Sequence, residues 1–174
     1  MLALNGTTSA GKTTLAVALQ ERLPDVWFVW GVDTFLSTTS IKLYRPDGIV
    51  IADDGTITIG PEFDRLYDAF RDAVRAFVAG GANVILDEVL LSGASSKRTW
   101  DDVLAGLDVS WVRVDCDLDR AEAREVARGD RVVGQARWQA SRVHVGITYD
   151  ATVDTSVLTP AQAADQVARQ LQLG

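Results

Sequence analysis

The stretch Gly6-Thr7-Thr8-Ser9-Ala10-Gly11-Lys12-Thr13 decides the fold of this 174-residue chain. It follows a short, mostly apolar run from Met1 to Asn5 and opens a segment with helical periodicity. A glycine, four residues and then Gly-Lys-Thr between a strand and a helix are typical of a phosphate-binding loop. Backbone N–H groups at the helix N-terminus would surround phosphate oxygens, and Lys12 would neutralise the β and γ phosphates. Thr13 would offer its hydroxyl to Mg²⁺.

We expect the loop and the residue after it to contact a nucleoside triphosphate through Gly6, Thr7, Thr8, Ser9, Ala10, Gly11, Lys12, Thr13 and Thr14. Side chains at Gly6 or Gly11 would obstruct the wrap around the phosphates. The alternative is a glycine-bearing strand-to-helix turn with a surface lysine. We disfavour it because the motif agrees with the segments on both sides of it.

Composition narrows the class of protein. A net charge of −7 and a pI near 4.6 argue against a nucleic-acid surface, because phosphate backbones are bound through clustered Lys and Arg. The lone Cys116 cannot form an internal disulfide, and the N-terminus lacks the features of a signal peptide. No apolar run reaches the roughly 18 to 20 residues that cross a bilayer. We expect a cytoplasmic protein with a small-molecule partner and neither a nucleic-acid nor a membrane partner; its oligomeric state stays open.

Apolar runs alternate with helical-period segments, which is typical of βαβ units around a parallel sheet. Strands are predicted near Met1 to Asn5, Val26 to Trp30, Asn83 to Asp87, Ser110 to Asp115 and Thr152 to Thr155. Apolar spacings of three and four predict a helix from Pro61 to Gly80, and Ile49 to Ile59 is predicted to form a β-hairpin. The sequence therefore predicts an α/β fold with a parallel sheet of about five strands, in one domain spanning residues 1–174.

Two acids follow predicted strands at the edge where parallel sheets bind ligands. Asp87 ends an apolar run and would hold Mg²⁺ directly or through water, while a solvated acid or a cap is the alternative for Asp87 and its neighbour Glu88. Asp33 could accept the proton of an attacking hydroxyl, or it could be the N-cap of a helix that starts at Thr34. Trp30 and Phe35 flank Asp33 and are candidate walls of an acceptor pocket, although such aromatic residues also build cores.

Arginine is concentrated between Arg120 and Arg142, although the chain as a whole is acidic. Arg120, Arg124 and Arg128 stand four apart, so they would share one helix face, and Arg131 follows a glycine that ends the helix. We expect Arg128 and Arg131 to neutralise charge on the transferred phosphoryl group. A salt-bridged surface helix is the alternative, and we favour it for Arg120. The single histidine, His144, has no identifiable orienting carboxylate, which favours a structural role.

Several runs resemble the chloramphenicol phosphotransferases, in the same order from one end of the chain to the other. They are Leu4-Asn5-Gly6 with Ser9-Ala10-Gly11-Lys12, Gly31-Val32-Asp33, Ile59-Gly60-Pro61-Glu62-Phe63, Leu107-Asp108-Val109 with Trp111-Val112, Ala127-Arg128-Gly129-Asp130-Arg131 and Tyr149-Asp150. Thr7-Thr8 and the segments Thr34 to Ser37 and Ile41 to Tyr44 depart from the family pattern.

The resemblance implies a three-layer P-loop fold similar to nucleoside monophosphate kinases, with an arginine-bearing lid. It also implies ATP with Mg²⁺ as the donor and a primary hydroxyl of an antibiotic, chloramphenicol or a related compound, as the acceptor. The catalytic aspartate of the family falls on Asp33 and its lid arginines on Arg128 and Arg131. Two alternatives stay open: a kinase for a cellular metabolite or nucleotide sugar, and a non-catalytic nucleotide-binding switch.

Overall fold

A five-stranded parallel sheet organises the chain, for which the computed structural model describes residues 1–129 and 132–173. The strands are β1 (Leu2–Asn5), β2 (Trp27–Gly31), β5 (Asn83–Glu88), β6 (Ser110–Asp115) and β7 (Ala151–Asp154), in the spatial order β2-β5-β1-β6-β7. A separate antiparallel hairpin consists of β3 (Ile49–Ile51) and β4 (Ile57–Ile59). The predicted α/β class, the parallel sheet and the hairpin are confirmed.

Helices cover both faces of this sheet, which gives three layers. They are α1 (Lys12–Arg22), α2 (Val32–Thr38), α3 (Pro61–Ala79), α4 (Ala94–Val103), α5 (Leu118–Arg128), α6 (Gln135–Ala140) and α7 (Pro160–Gln170), with one 3-10 turn at Ile41–Leu43. The helix α3 begins with Pro61 in its first turn, where a missing N–H costs nothing. No described helix is long and apolar enough to span a bilayer.

Each face of the sheet has its own apolar core, because successive side chains of a strand point to opposite faces. On one face, Leu4 and Ile85 pack with Leu15 of α1 and Val167 of α7. On the other face, the buried residues belong to the sheet, α2, α3 and α4, and they include Ala3, Leu86, Phe35, Tyr67, Val74 and Trp100. Burying a large apolar side chain contributes about 1.5–3 kcal/mol, so these two cores hold the strands in register.

The strand order places the ligand-binding edge. The chain leaves β1 toward β2 and β5 on one side, and after β5 it crosses over β1 to β6 and β7 on the other side. In parallel sheets a crevice opens beyond the carboxyl ends of the strands at such a reversal. The loop after β1 lies at that point, and the segments that follow β2 and β5 lie beside it.

The hairpin is fixed to the rest of the molecule at its tip. A side chain on Gly55 would come within 2.4 Å of the backbone nitrogen of Gln135, and one on Gly134 would come within 2.9 Å of the Asp54 carbonyl oxygen. Both glycines also have positive φ angles, of 82° and 105°. The hairpin tip and the turn before α6 therefore touch backbone to backbone.

Candidate active site

The phosphate-loop segment turns directly from β1 into α1. A Cβ on Gly6 would lie 2.5 Å from the carbonyl oxygen of Val114, and Gly11 caps α1 with a φ of 87°, so both positions require glycine. Ser9 has a positive φ of 57° despite its side chain. A curled segment at a helix N-terminus points backbone N–H groups toward one place, which is the requirement for binding phosphate.

Lys12, Thr13 and Asp87 come together at the start of α1. The Nζ of Lys12 donates to the Thr7 carbonyl oxygen at 2.9 Å and lies 3.7 Å from Asp87 Oδ1. Thr13 Oγ1 donates to Asp87 Oδ2 at 2.6 Å. Residues that are 74 positions apart in the chain therefore share one cluster of an ammonium group, a hydroxyl and a carboxylate.

Asp33 stands beside this cluster because of the register of two neighbouring strands. Gly31 pairs with Asp87 across β2 and β5, and a Cβ on Gly31 would lie 1.9 Å from the Asp87 carbonyl oxygen. The neighbour that requires glycine at position 31 is therefore the β5 backbone. The helix α2 begins at Val32 with Gly31 as its N-cap, so Asp33 lies in its first turn. The alternative that Asp33 caps a helix starting at Thr34 is wrong.

Two cavities meet at these residues. The loop cavity, of about 480 Å³, runs from Thr8 and Lys12 along Arg124 to Leu158 and Pro160. The strand-end cavity, of about 440 Å³, extends the other way and is lined in addition by Val29, Gly31 and Thr34. Five residues line both: Thr13, Thr14, Asp33, Asp87 and Arg128. They mark the junction between the two spaces.

Arg128 is the last residue of α5 and lines both cavities, while Gly129 ends the helix in the left-handed conformation. The side chain at the end of α5 thus lies at the junction, with Asp33, which follows β2, and Asp87, near the end of β5. The other predicted lid residue, Arg131, lies outside the described residues. Arg120 is exposed at the far end of α5, and its backbone N–H is capped by Asp117 Oδ1 at 3.1 Å.

Arg124, for which no separate role was predicted, reaches the phosphate-loop segment. Its guanidinium donates to the Thr155 carbonyl oxygen at 3.0 Å and lies 3.4 Å from both the Ser9 carbonyl oxygen and the Cys116 sulfur. Thr155 in turn donates to the Ala10 carbonyl oxygen at 2.6 Å. The spacing of four residues from Arg128 was the one sign in the sequence that Arg124 faces the site, because its contact with Ser9 spans 115 positions.

Two buried side chains, which could not be predicted from the sequence, support the phosphate-loop segment. Thr8 donates its backbone N–H to Gln139 Oε1 at 2.6 Å, and the Gln139 side chain is buried. The fully buried carboxylate of Glu125 accepts from the backbone N–H groups of Gly134 and Ala136, at 2.7 and 3.0 Å. Glu125 therefore holds the start of α6, and Gln139 near its end holds the loop.

Glu88 is a buried acid directly behind Asp87. Its carboxylate accepts a hydrogen bond from the Tyr67 hydroxyl, and both side chains are almost completely buried. Burial raises the pKa of Glu88 to about 7; the Tyr67 hydrogen bond opposes that rise, and the neighbouring charge of Asp87 adds to it. Alternation along β5 turns Glu88 away from the face of Asp87, so the solvated-acid alternative does not describe it.

Of the two aromatic residues near Asp33, Phe35 lies in the apolar core, and Trp30 is partly buried and packs against that core. Phe35 is buried, with its ring centroid 5.4 Å from Phe63 and 5.0 Å from Tyr67. Trp30 stacks on Phe77 at 4.6 Å. Neither lines one of the two cavities. Packing accounts for both rings, and a contact of either ring with a substrate stays a prediction.

His144 belongs to a polar network under the segment that precedes Gly6. Its Nδ1 lies 2.8 Å from the Tyr149 hydroxyl, which accepts from Asn5 Nδ2 at 2.6 Å. A carboxylate does lie close, since Asp115 Oδ1 is 3.8 Å from His144 Nε2. Burial, with a further contribution from Arg113, lowers the pKa of His144 to about 4. The lowered pKa keeps the histidine neutral at pH 7, and a structural role for it stays a prediction.

The comparisons with known proteins agree with this geometry. The family model described as chloramphenicol phosphotransferase-like protein matches residues 1–172. The chain belongs to this family. It is 32% identical to "Putative O-phosphotransferase Rv2636" of Mycobacterium tuberculosis strain H37Rv, over 98% of this chain and 80% of that protein. The protein of strain CDC 1551 that carries the same description matches equally well.

Solved structures share the fold at low sequence identity. A sugar kinase from Janibacter sp. HTCC2649 has a TM-score of 0.68 at 15% identity and covers 99% of this chain and 94% of its own. The tunicamycin resistance protein of Deinococcus radiodurans has a TM-score of 0.66 at 22% identity, with coverages of 99% and 96%. Shikimate kinase from Aquifex aeolicus has a TM-score of 0.58 at 14% identity, with coverages of 98% and 95%. The fold is thus that of P-loop kinases, and membership of the chloramphenicol phosphotransferase-like family makes the chain a small-molecule O-phosphotransferase.

Proposed function

We propose that this enzyme transfers the γ-phosphoryl group of ATP to a hydroxyl group of a small molecule, with Asp33 as the general base. The observation that carries the proposal is the junction of the two cavities, where Asp33, Asp87 and Arg128 line both spaces. One space would hold the donor and the other the acceptor. The reacting atoms would then meet beside a carboxylate that can accept a proton and a guanidinium that can neutralise charge.

The loop cavity suits the nucleotide. Phosphates would lie on the backbone N–H groups from Ser9 to Thr13, with Lys12 against the β and γ groups. At the far end of the cavity, Leu158 and Pro160 offer apolar surface to a base. The Arg124 guanidinium lies between these two regions.

Thr13 and Asp87 are the residues that would hold Mg²⁺. Their side-chain oxygens lie 2.6 Å apart at the start of α1, and oxygen donors of this kind are the ligands that Mg²⁺ prefers. The ion usually takes only one or two protein ligands and completes its shell with water and phosphate oxygens. When bound there, it would draw charge from the β and γ phosphates.

The transfer forms one O–P bond and breaks another. The acceptor oxygen attacks the γ phosphorus, the new O–P bond forms, and the bond from phosphorus to the bridging oxygen of ADP breaks. The hydroxyl proton passes to an Asp33 carboxylate oxygen and from there to solvent. Arg128 and Lys12 stabilise the negative charge on the equatorial and leaving oxygens.

Family membership supports an antibiotic hydroxyl as the acceptor, either of chloramphenicol itself or of a related compound, and phosphorylation would then confer resistance. The name of the Deinococcus relative, a tunicamycin resistance protein, fits the same biological role on another antibiotic. Both ATP use and the lone, half-buried Cys116 fit a cytoplasmic enzyme.

Asp33→Asn tests the proposal. We expect turnover to fall by about 10²-fold or more, the usual scale for a general base, while ATP affinity stays within about twofold. Acceptor-dependent ADP release would report turnover, and calorimetric titration would report binding. Asp25→Asn, at an exposed site before β2, is the matched control. Near-normal turnover in Asp33→Asn would refute the role of Asp33. ATP hydrolysis that no hydroxyl compound stimulates would favour a nucleotide switch.

A further inference from the structure

We infer that Glu125 is a positioning residue for nucleotide binding, because it fixes α6 in the place from which Gln139 holds the phosphate-loop segment. Glu125 and Gln139 line neither the loop cavity nor the strand-end cavity. The effect on the nucleotide is therefore indirect and passes from Glu125 through α6 to the loop. The inference goes beyond the proposed function and rests on it for the placement of ATP in the loop cavity.

Two neighbouring helices bond adjacent residues of the phosphate-loop segment. Thr8 donates its backbone N–H to Gln139 Oε1 of α6 at 2.6 Å, and the Ser9 carbonyl oxygen lies 3.4 Å from the Arg124 guanidinium of α5. Ser9 also has a φ of 57°, a conformation that a residue with a side chain adopts where surrounding contacts hold it. The curl of the segment therefore depends on bonds from α5 and α6.

The carboxylate of Glu125 joins α6 to α5. It is fully buried and accepts from the backbone N–H groups of Gly134 and Ala136, at 2.7 and 3.0 Å. N–H groups at the start of a helix have no partner within the helix, and a buried carboxylate needs donors that replace water. Each side thus satisfies the other, and such charge-assisted bonds are roughly twice as strong as neutral ones. The start of α6 cannot leave α5 without leaving both sides unsatisfied.

Gln139 lies on α6 between two anchor points. At the first, Gly134 is the N-cap of α6 and also touches the backbone of the hairpin tip. At the second, after the end of α6, the carbonyl oxygen of Val143 accepts from Asn5 Nδ2 at 2.7 Å. The Gln139 side chain is buried between them and faces Thr8. Release of the first anchor lets this six-residue helix rotate about the second, which withdraws the Gln139 amide from the loop.

A loosened loop costs ATP affinity rather than turnover. ATP then has to order the loop as it binds, and the free energy of ordering is taken from the affinity. The loop N–H groups contact phosphates before and during the transfer, so the loss is the same for the ground state and the transition state. Such a uniform loss raises the dissociation constant of ATP and leaves kcat unchanged.

Glu125→Gln tests the inference by calorimetric titration of the full chain with ATP and Mg²⁺, and then with ADP. Glutamine fits the same space and keeps one accepting oxygen, but its amide nitrogen cannot accept from the second N–H. We expect the dissociation constants of both nucleotides to rise about tenfold. Circular dichroism before each titration shows whether the variant is folded. Unchanged affinities in a folded variant would overturn the role of Glu125 and leave the proposed function intact.

Glu122→Gln is the matched control, because it removes the same charge from the same helix. Glu122 also bonds to α6, where Arg137 donates to it at 2.6 and 2.8 Å, but this ion pair lies on the surface. Exposed ion pairs contribute little, so the dissociation constant of ATP should stay within about twofold of the wild-type value. A loss as large as that of Glu125→Gln would assign the effect to net charge and overturn the role of Glu125.

The double variant of Glu125→Gln and Gln139→Met shows whether Glu125 acts through Gln139. Once Gln139 no longer accepts from the loop, the position of α6 has nothing left to transmit. The double variant should therefore bind ATP no more than about twofold more weakly than Gln139→Met alone. A purely structural role of Glu125 predicts that the two losses multiply to about a hundredfold, and that result would overturn the inference.

Hydrogen exchange of the Thr8 amide in the wild type gives a test that needs no variant. Measured by NMR without nucleotide, this amide should exchange at least about a hundredfold more slowly than in an unstructured peptide, because its acceptor is fixed and buried. Exchange at the rate of an unstructured peptide would overturn the inference. A wild type that binds neither ATP nor ADP would overturn both the inference and the proposed function.

Discussion

The buried carboxyl of Glu88 should make the protein less stable as pH rises. In the folded protein its pKa is about 7, against the ordinary 4.5, chiefly because burial disfavours the charged form. Between these two values the folded chain keeps a proton that the unfolded chain has lost. The stabilisation is complete below pH 4.5, falls as pH rises, and is lost above about pH 7.

The size of the effect follows from the two pKa values. Their difference, 7 − 4.5, is 2.5 units, and each unit corresponds to about 1.4 kcal/mol, so the full span is about 3 kcal/mol. Over the accessible range from pH 5 to pH 8 we expect about 2 kcal/mol of it. Glu88→Gln keeps an oxygen that can accept from Tyr67 and has no charge, so it should remove this pH-dependent part.

Urea unfolding followed by tryptophan fluorescence at pH 5, 6, 7 and 8 would measure the effect, without nucleotide or Mg²⁺. The quantity to compare is the difference in unfolding free energy between wild type and Glu88→Gln at each pH, because contributions from other groups cancel in it. Relative to wild type, the variant should gain about 2 kcal/mol between pH 5 and pH 8. Glu21→Gln, at an exposed position of α1, is the control. Parallel curves for wild type and Glu88→Gln would refute the reasoning.

Three further predictions concern single contacts. Gln139→Met leaves the Thr8 N–H without its acceptor, so ATP affinity should fall about tenfold by calorimetry, and an unchanged affinity would contradict a role of this contact in shaping the loop. Gly31→Ala forces a Cβ against the Asp87 carbonyl oxygen and should destabilise by about 1–3 kcal/mol in thermal unfolding, so an unchanged Tm would count against this packing. Because the pKa of His144 is lowered to about 4, the stability that its neutral form contributes is present above pH 6.5 and is lost as pH falls toward 4. His144→Gln should recover about 1–2 kcal/mol of this loss in urea titrations. An unaltered dependence of the unfolding free energy on pH would contradict the prediction.

Most of the fold could be predicted because its signals are local. The five strands were found within about a residue of their ends, since each is a short apolar run bounded by turn residues. The phosphate-loop segment, Asp33 and Asp87 were also accessible, because a motif and the rule about strand ends place them at one edge.

What could not be predicted depends on contacts between distant segments. Gln139 meets Thr8 across 131 positions, and nothing around either residue signals the pairing. The same holds for Glu125, which looks like a surface acid on a charged helix and is in fact buried beneath the turn before α6. Trp30 and Phe35 lie near Asp33 in sequence, yet their rings pack against aromatic side chains of α3.

The pairing of Gly31 with Asp87 has a consequence for how such an enzyme can diverge. The proposed base follows Gly31 by two residues, so its position relative to the proposed metal ligand Asp87 depends on the spacing of two hydrogen-bonded strands, about 4.8 Å, and on a glycine that lets them approach. Side chains such as Thr34 and Val29 can then change, and with them the lining of the strand-end cavity, while the strand pairing stays the same. The shape of the cavity and the geometry of the reacting groups thus depend on different side chains, although these alternate within the short segment from residue 29 to residue 34.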